Sequence, residues 1–157
     1  PLSVGCGAGG IEKMAAWYQA VDTSKKQRLG TRRFSVANNE YIYLAGVGST
    51  AVGSVVSFDE AHATLLLAGN AVGRVGVAQA IVDSTSEWGW YLIYGTGTAA
   101  CDTVAADKAC FIDGTAGRID DAVVTGDLVN GMLTRSADAL NFCTVELSYP
   151  TVNDVLG

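Results

Sequence analysis

One stretch of the sequence decides the fold: residues 88–94 read Trp-Gly-Trp-Tyr-Leu-Ile-Tyr. Large apolar side chains occupy both alternations of this stretch, so a β-strand here presents bulk to both faces of its sheet. Such a strand has to be covered on both sides, either by the rest of the fold or by a neighbouring subunit. The sequence therefore predicts a strand that is buried on both faces.

Short runs rich in Val, Ile, Tyr and Phe flank this strand from Thr31 onward, and Gly, Asn, Asp and Ser interrupt them. Interruptions about every 8–12 residues are typical of an all-β domain. The predicted strands are 33–36, 41–45, 54–58, 64–67, 72–82, 89–94, 109–112, 122–124, 128–132 and 143–148. We therefore expect an antiparallel β-barrel or sandwich. Alternation assigns six side chains to its core: Val75, Val77, Ile81, Trp90, Leu92 and Val145.

Composition limits the class of protein further. The chain has 157 residues, of which 49% are hydrophobic and 17% charged, against an ordinary charged share of about 25%. This length fits one core, and the low charge indicates that much of the surface is hidden. No stretch approaches the roughly 18 consecutive apolar residues of a membrane span, so a membrane partner is not expected.

Charge divides the chain into two parts. Residues 1–33 hold six basic and two acidic residues, whereas the remaining 124 hold four basic and fourteen acidic residues. We assign residues 1–33 to an extended basic N-terminal arm and residues 34–157 to the β-rich body. Within the arm, Ile11, Met14 and Tyr18 have helical spacing, which predicts a short amphipathic helix over residues 11–20.

A basic segment beside an acidic body is typical of an arm that lies on a negatively charged protein surface. The alternative is an ordinary solvated run of charges. The acidity of the body would repel a long nucleic acid, and the basic run has few stacking aromatics, so nucleic-acid binding is not expected. The candidate contact residues are Trp17, Tyr18, Lys25, Lys26, Arg28, Arg32 and Arg33.

A second candidate surface comes from residues 72–82. One alternation of this run is bulky, whereas the other carries Gly76, Ala78 and Ala80. A smooth face of this kind lets another sheet or chain approach closely. We therefore predict that these three small residues form the interface of a homo-oligomer.

The clearest enzymatic signal is Gly95–Ala100, Gly-Thr-Gly-Thr-Ala-Ala, which matches the dinucleotide pattern G-x-G-x-x-A. That pattern needs a helix whose first amides hold pyrophosphate, but here it lies within a series of strands. A glycine-rich hairpin or bulge is the preferred interpretation, and a nucleotide-binding enzyme is the alternative. With His62 as the only histidine and no metal-ligand spacing, we expect no catalytic residue, metal or cofactor.

The four cysteines, Cys6, Cys101, Cys110 and Cys143, have no zinc spacing. The chain also lacks a secretory signal pattern, so we expect reduced, buried thiols rather than a disulfide between Cys101 and Cys110.

The region from Val55 to Pro150, about 60% of the chain, resembles the capsid decoration or cement proteins of tailed bacteriophages, and five segments carry the resemblance. These segments are Val-Val-Ser-Phe-Asp (55–59), Val-Gly-Arg-Val-Gly-Val-Ala (72–78), Trp-Gly-Trp-Tyr-Leu-Ile-Tyr-Gly (88–95), Asp-Ala-Val-Val-Thr-Gly-Asp (121–127) and Val-Glu-Leu-Ser-Tyr-Pro (145–150). The resemblance implies a compact β-barrel or tulip-like sandwich, often trimeric, that bridges capsomers.

On this resemblance, we expect a homotrimer on the exterior of the virion, present in the host cytoplasm during assembly. Its partner would be the major capsid protein, and the basic arm would anchor it to an acidic patch of the capsid. A tail- or fibre-associated virion protein is the alternative within the same class.

Overall fold

The computed structural model describes residues 16–154, which form an antiparallel, all-β fold of eleven strands in one sheet. The strands are β1 (Val21–Asp22), β2 (Arg32–Phe34), β3 (Glu40–Ala45), β4 (Val55–Phe58), β5 (Thr64–Leu66), β6 (Val72–Ala78), β7 (Trp88–Ala100), β8 (Ala109–Ile112), β9 (Ile119–Asp120), β10 (Leu128–Thr134) and β11 (Phe142–Asn153). Within residues 16–154, the helical content is a 3-10 turn at Trp17–Gln19, and no helix is long and apolar enough to cross a membrane.

The strands follow the order β2-β3-β7-β6-β11-β10-β8-β9; in addition, β1 pairs with β7, β4 pairs with β6, and β5 pairs with β4. The long strand β7 changes partner along its length. Its first half pairs with β3, and its second half pairs with β11 over Tyr94–Ala100. The sheet is not closed, so the predicted all-β sandwich is confirmed but the barrel alternative is not.

Two buried clusters cover the opposite faces of β7. Trp90 and Leu92 belong to the larger cluster, and Tyr91 and Ile93 belong to the smaller one. The prediction from residues 88–94 is therefore confirmed, and the chain itself provides both covering layers. Five of the six predicted core side chains are buried: Val75, Val77, Trp90, Leu92 and Val145.

The prediction for the sixth side chain, Ile81, is wrong, because this side chain is 57% exposed. Strand β6 ends at Ala78, not at residue 82, so the alternation that placed Ile81 in the core no longer applies. The predicted strand 122–124 is also wrong. These residues follow β9 in an exposed turn that begins where the Asp120 carboxylate accepts the amide of Ala122 (3.1 Å).

The predicted boundary between arm and body, at residues 33 and 34, falls inside β2. Strand β1 pairs with β7, and β2 pairs with β3, so these two strands of the predicted arm belong to the body sheet. The predicted helix over 11–20 lies mostly outside the described residues. Its described end is the 3-10 turn at Trp17–Gln19.

Candidate contact surface

The two aromatic residues predicted to contact a partner pack instead against their own sheet. Trp17 meets Tyr41 and Trp90 edge-on, with ring centroids 5.4 and 5.0 Å apart. Tyr18 stacks on Tyr41 at 4.5 Å, with the ring planes 7° apart. Both side chains are half-buried against the larger core. The packing of these two rings therefore fixes residues 16–20 against the sheet.

A buried carboxylate fixes the start of the basic loop. The Tyr43 hydroxyl donates to Asp22 Oδ2 at 2.6 Å and accepts the amide of Lys26 at 3.2 Å. The Lys26 ammonium lies 3.8 Å from Asp22 Oδ1. Burial, and then the hydrogen bond to Asp22, raise the pKa of Tyr43 to about 12. The loop that carries the lysines therefore leaves the sheet from an ordered position.

All five predicted cationic residues, Lys25, Lys26, Arg28, Arg32 and Arg33, are exposed. We call this set the basic surface. Of these, Lys25 and Arg28 form no ion pair within residues 16–154. A turn in which the Thr31 amide donates to the carbonyl of Arg28 (3.0 Å) joins the loop to β2. The basic surface is thus one continuous segment that ends on a strand at the edge of the sheet.

Strand β2 points its two arginines to opposite faces. The Arg33 guanidinium lies over the Trp17 ring, 4.2 Å from its centroid. On the other face, an Arg32 nitrogen lies 3.6 Å from Glu40 Oε2. The Glu40 carboxylate is buried and also accepts a short hydrogen bond from the Tyr149 hydroxyl. Arg32 therefore has a carboxylate partner, whereas the contact found for the Arg33 guanidinium is with an aromatic ring.

Glu40 and Tyr149 had no signal in the sequence, because they are 109 residues apart and come together only when β3 and β11 join β7. The backbone of Tyr149 is left-handed, with φ of 49°. A bulky residue adopts this conformation at a cost, and the surrounding structure has to hold it there.

The predicted oligomer interface is wrong. Gly76, Ala78 and Ala80 are buried within the chain, with Ala78 and Ala80 only 1% and 7% exposed. A Cβ on Gly76 would lie 3.2 Å from Cβ of Tyr91, which shows how closely the two strands approach. The small residues do allow close packing, as the sequence predicted, but the packing is with other side chains of the smaller core of the same chain. These residues offer no surface to a second subunit.

The glycine-rich segment Gly95–Ala100 continues β7 and pairs with β11, so no helix starts there. The register between β3 and β7 shifts at Leu92–Tyr94, before this segment, whereas Gly95–Ala100 itself pairs with β11 in continuous register, so it is neither a hairpin nor a bulge. Gly95 has φ of 110°, and its backbone passes directly beside the Asn39 side chain, which bonds both backbone groups of Thr96 (3.1 and 3.0 Å). The segment lacks the helix N-terminus that a phosphate loop requires.

Cys101, Cys110 and Cys143 are free and buried, as predicted, and Cys6 lies outside the described residues. Burial raises the pKa of all three thiols, that of Cys110 to about 12. Among residues 16–154, no three His, Cys, Asp or Glu side chains are grouped so that they could hold a metal ion.

No protein-family model matches the chain, and no curated protein is significantly similar to it in sequence. A functional proposal therefore depends on the basic surface and on the resemblance of the segments between Val55 and Pro150 to capsid decoration proteins.

Proposed function

We propose that this protein decorates and stabilises a bacteriophage capsid by bridging subunits of the major capsid protein. The observation that carries the proposal is the basic surface: five exposed cations on one ordered segment of a chain whose net charge is −6. Opposite charges steer association and fix its orientation, so this segment is suited to an acidic protein surface. The resemblance of the strand segments to decoration proteins supports the choice of a capsid as that surface.

The way in which the segment is held also supports a contact role. The hydrogen bond between Tyr43 and Asp22 orders the chain before Lys25, and backbone hydrogen bonds of Gly30 and Thr31 with Tyr43 order it after Arg28. An ordered segment loses less conformational entropy on binding than a free arm does. Each exposed ion pair is weak, but repetition over the copies of a homotrimer on a lattice would multiply the effect.

The experiment compares two double variants that remove the same charge. One is Lys25→Gln with Arg28→Gln in the basic surface, and the other is Lys108→Gln with Arg118→Gln in the acidic body. Purified protein is titrated onto capsids that lack it. Two ion pairs of about 0.2–1 kcal/mol each predict a loss of affinity of roughly 2- to 30-fold for the first variant only.

The same titration is repeated at several salt concentrations. Binding of the unaltered protein should weaken as ionic strength rises, because exposed charge pairs are screened. Equal binding by both double variants, or binding that salt does not change, would contradict a role for the basic surface. Binding to tails rather than capsids would favour the tail- or fibre-associated alternative.

A further inference from the structure

A cavity of about 150 Å³ opens at the end of the smaller core, between β2, β6 and β11. Arg32, Arg74, Phe58 and Tyr149 are among the residues that line it. The side chains of Ile93 and Pro150 complete the apolar lining. Two of the residues that line this mainly apolar cavity are arginines, although the chain has 16 acidic and only 10 basic residues.

Arg74 is oriented without a carboxylate partner. Its guanidinium lies 4.6 Å from the centroid of the Phe58 ring, and its Nη2 donates to the backbone carbonyl of Asp59 at 3.1 Å. The Asp59 carboxylate turns away into its own loop, where it accepts the amides of Ala61 and Ala63 (2.9 and 3.0 Å). Arg74 forms no ion pair within residues 16–154. The structure thus gives the Arg74 guanidinium one hydrogen bond, to a backbone carbonyl, out of the five N–H donors of the group.

The opposite wall is built differently. The Arg32 guanidinium lies 3.6 Å from the buried Glu40 carboxylate and 5.8 Å from the centroid of the Tyr149 ring. Because Glu40 also accepts the Tyr149 hydroxyl, it fixes both side chains at the rim. Two guanidinium groups and one carboxylate leave the cavity with a single net positive charge.

These features determine the chemistry of the ligand. One net positive charge suits a monoanion, and the Glu40 carboxylate would repel a phosphate dianion. Guanidinium groups bind carboxylates through paired hydrogen bonds, and the aromatic and aliphatic walls suit an aliphatic stem. The cavity, at about 150 Å³, has room for the carboxylate and methylene groups of an acidic side chain.

We propose that this cavity, the Arg32–Arg74 pocket, receives the carboxylate side chain of a glutamate or aspartate on the partner protein. The inference rests on the proposed function in one respect, since it takes that partner to be the major capsid protein. The pocket adds a specific, partly buried ion pair to the exposed basic surface. It lies on the face of β2 that carries Arg32, so Arg32 belongs to both surfaces.

The first test needs no capsid. The probe is N-acetylglutamate N-methylamide, which carries a single carboxylate, and the neutral glutamine analogue is the control. Nitrogen-15 NMR follows the Nε–H signals of the arginines. The pocket predicts saturable shifts at Arg74 and Arg32 with the glutamate probe, with Kd on the order of millimolar, and none with the glutamine analogue.

Arg74→Met keeps an unbranched stem over Phe58 but removes the charge, and it should abolish the saturation. Arg118→Met, outside the pocket, should leave it unchanged. Equal shifts with both analogues, or saturation that survives Arg74→Met, would overturn the pocket. Inorganic phosphate that displaces the glutamate probe at lower concentration would overturn the choice of a carboxylate.

The second test uses capsids that lack the protein. Arg74→Met should weaken binding about tenfold or more, because it removes the pocket arginine that has no ion pair within residues 16–154, and Arg118→Met should not. Glutamate binding in NMR together with unchanged capsid binding by Arg74→Met would overturn the docking role and leave the basic surface intact. If the unaltered protein does not bind capsids, the proposed function fails, and the NMR titration alone decides whether the pocket binds carboxylates.

Discussion

Replacing Trp17 with alanine tests whether residues 16–20 belong to the body of the protein. The Trp17 ring packs edge-on against Tyr18, Tyr41 and Trp90, and it lies under the Arg33 guanidinium. Each aromatic pair contributes about 0.5–1.5 kcal/mol and the cation–π contact about 0.5–1 kcal/mol. Because a fully buried Trp→Ala substitution costs about 3–5 kcal/mol and this side chain is half-buried, we expect a loss of about 2–4 kcal/mol.

The assay is urea unfolding followed by far-ultraviolet circular dichroism, which does not depend on the fluorescence of the removed indole. Phe34→Ala is the matched control, because Phe34 lies on the edge strand β2 with 59% of its surface exposed. We expect this control to change the free energy of unfolding by less than about 0.5 kcal/mol. A Trp17→Ala variant as stable as Phe34→Ala would refute the packing and return the indole to the role of a free contact residue.

Three further predictions concern the body. The pKa of Tyr43 is raised from 10.0 to about 12, so the protonated hydroxyl contributes fully to the free energy of unfolding below pH 10. This contribution is lost as the pH rises towards 12. The urea midpoint of unfolding should therefore fall between pH 10 and pH 12, and it should fall less steeply in Tyr43→Phe. At pH 8 this variant should be less stable than the unaltered protein by about 1–3 kcal/mol, because the Asp22 carboxylate loses its hydrogen-bond donor. Gly95→Ala should cost more than about 1 kcal/mol, because φ is 110° and Asn39 occupies the space of a Cβ, whereas Gly114→Ala, with nothing within 4 Å, should cost little; equal thermal shifts would contradict this. Ala78→Glu should unfold the protein rather than dissociate an oligomer, because it buries an unpaired charge; a folded variant of lower mass in sedimentation would restore the interface.

Alternation in the sequence identified most of the longer strands that face a core, but it missed the short strand β9, whose Ile119 is fully buried. Residues 109–112 match β8 exactly in extent, and residues 88–94 correctly indicated a strand buried on both faces. The C-terminal limit of β6 was not predictable, because small and bulky residues continue to alternate past Ala78 although the backbone turns there. Strand β1 is only two residues long and depends on pairing with β7, so no periodicity could reveal it.

The candidate contact surface was predictable only in part. Local charge correctly placed Lys25, Arg28 and Arg33 on the surface, because exposed charges need no partner. The position of Trp17 could not be deduced, since it depends on rings from β3 and β7 that are distant in sequence. Arg74 did leave a signal: it shares the alternation of Gly76, so it is a charged residue at the end of the smooth face.

Imaging of intact virions by electron cryomicroscopy tests the central claim most directly. We expect density on the outside of the capsid that accommodates residues 16–154, with the basic surface directed towards acidic residues of the major capsid protein. The same map gives the number of copies at each site, for which three is the prediction. Density for this protein on the tail, or on the capsid with the basic surface directed into solvent, would contradict the account.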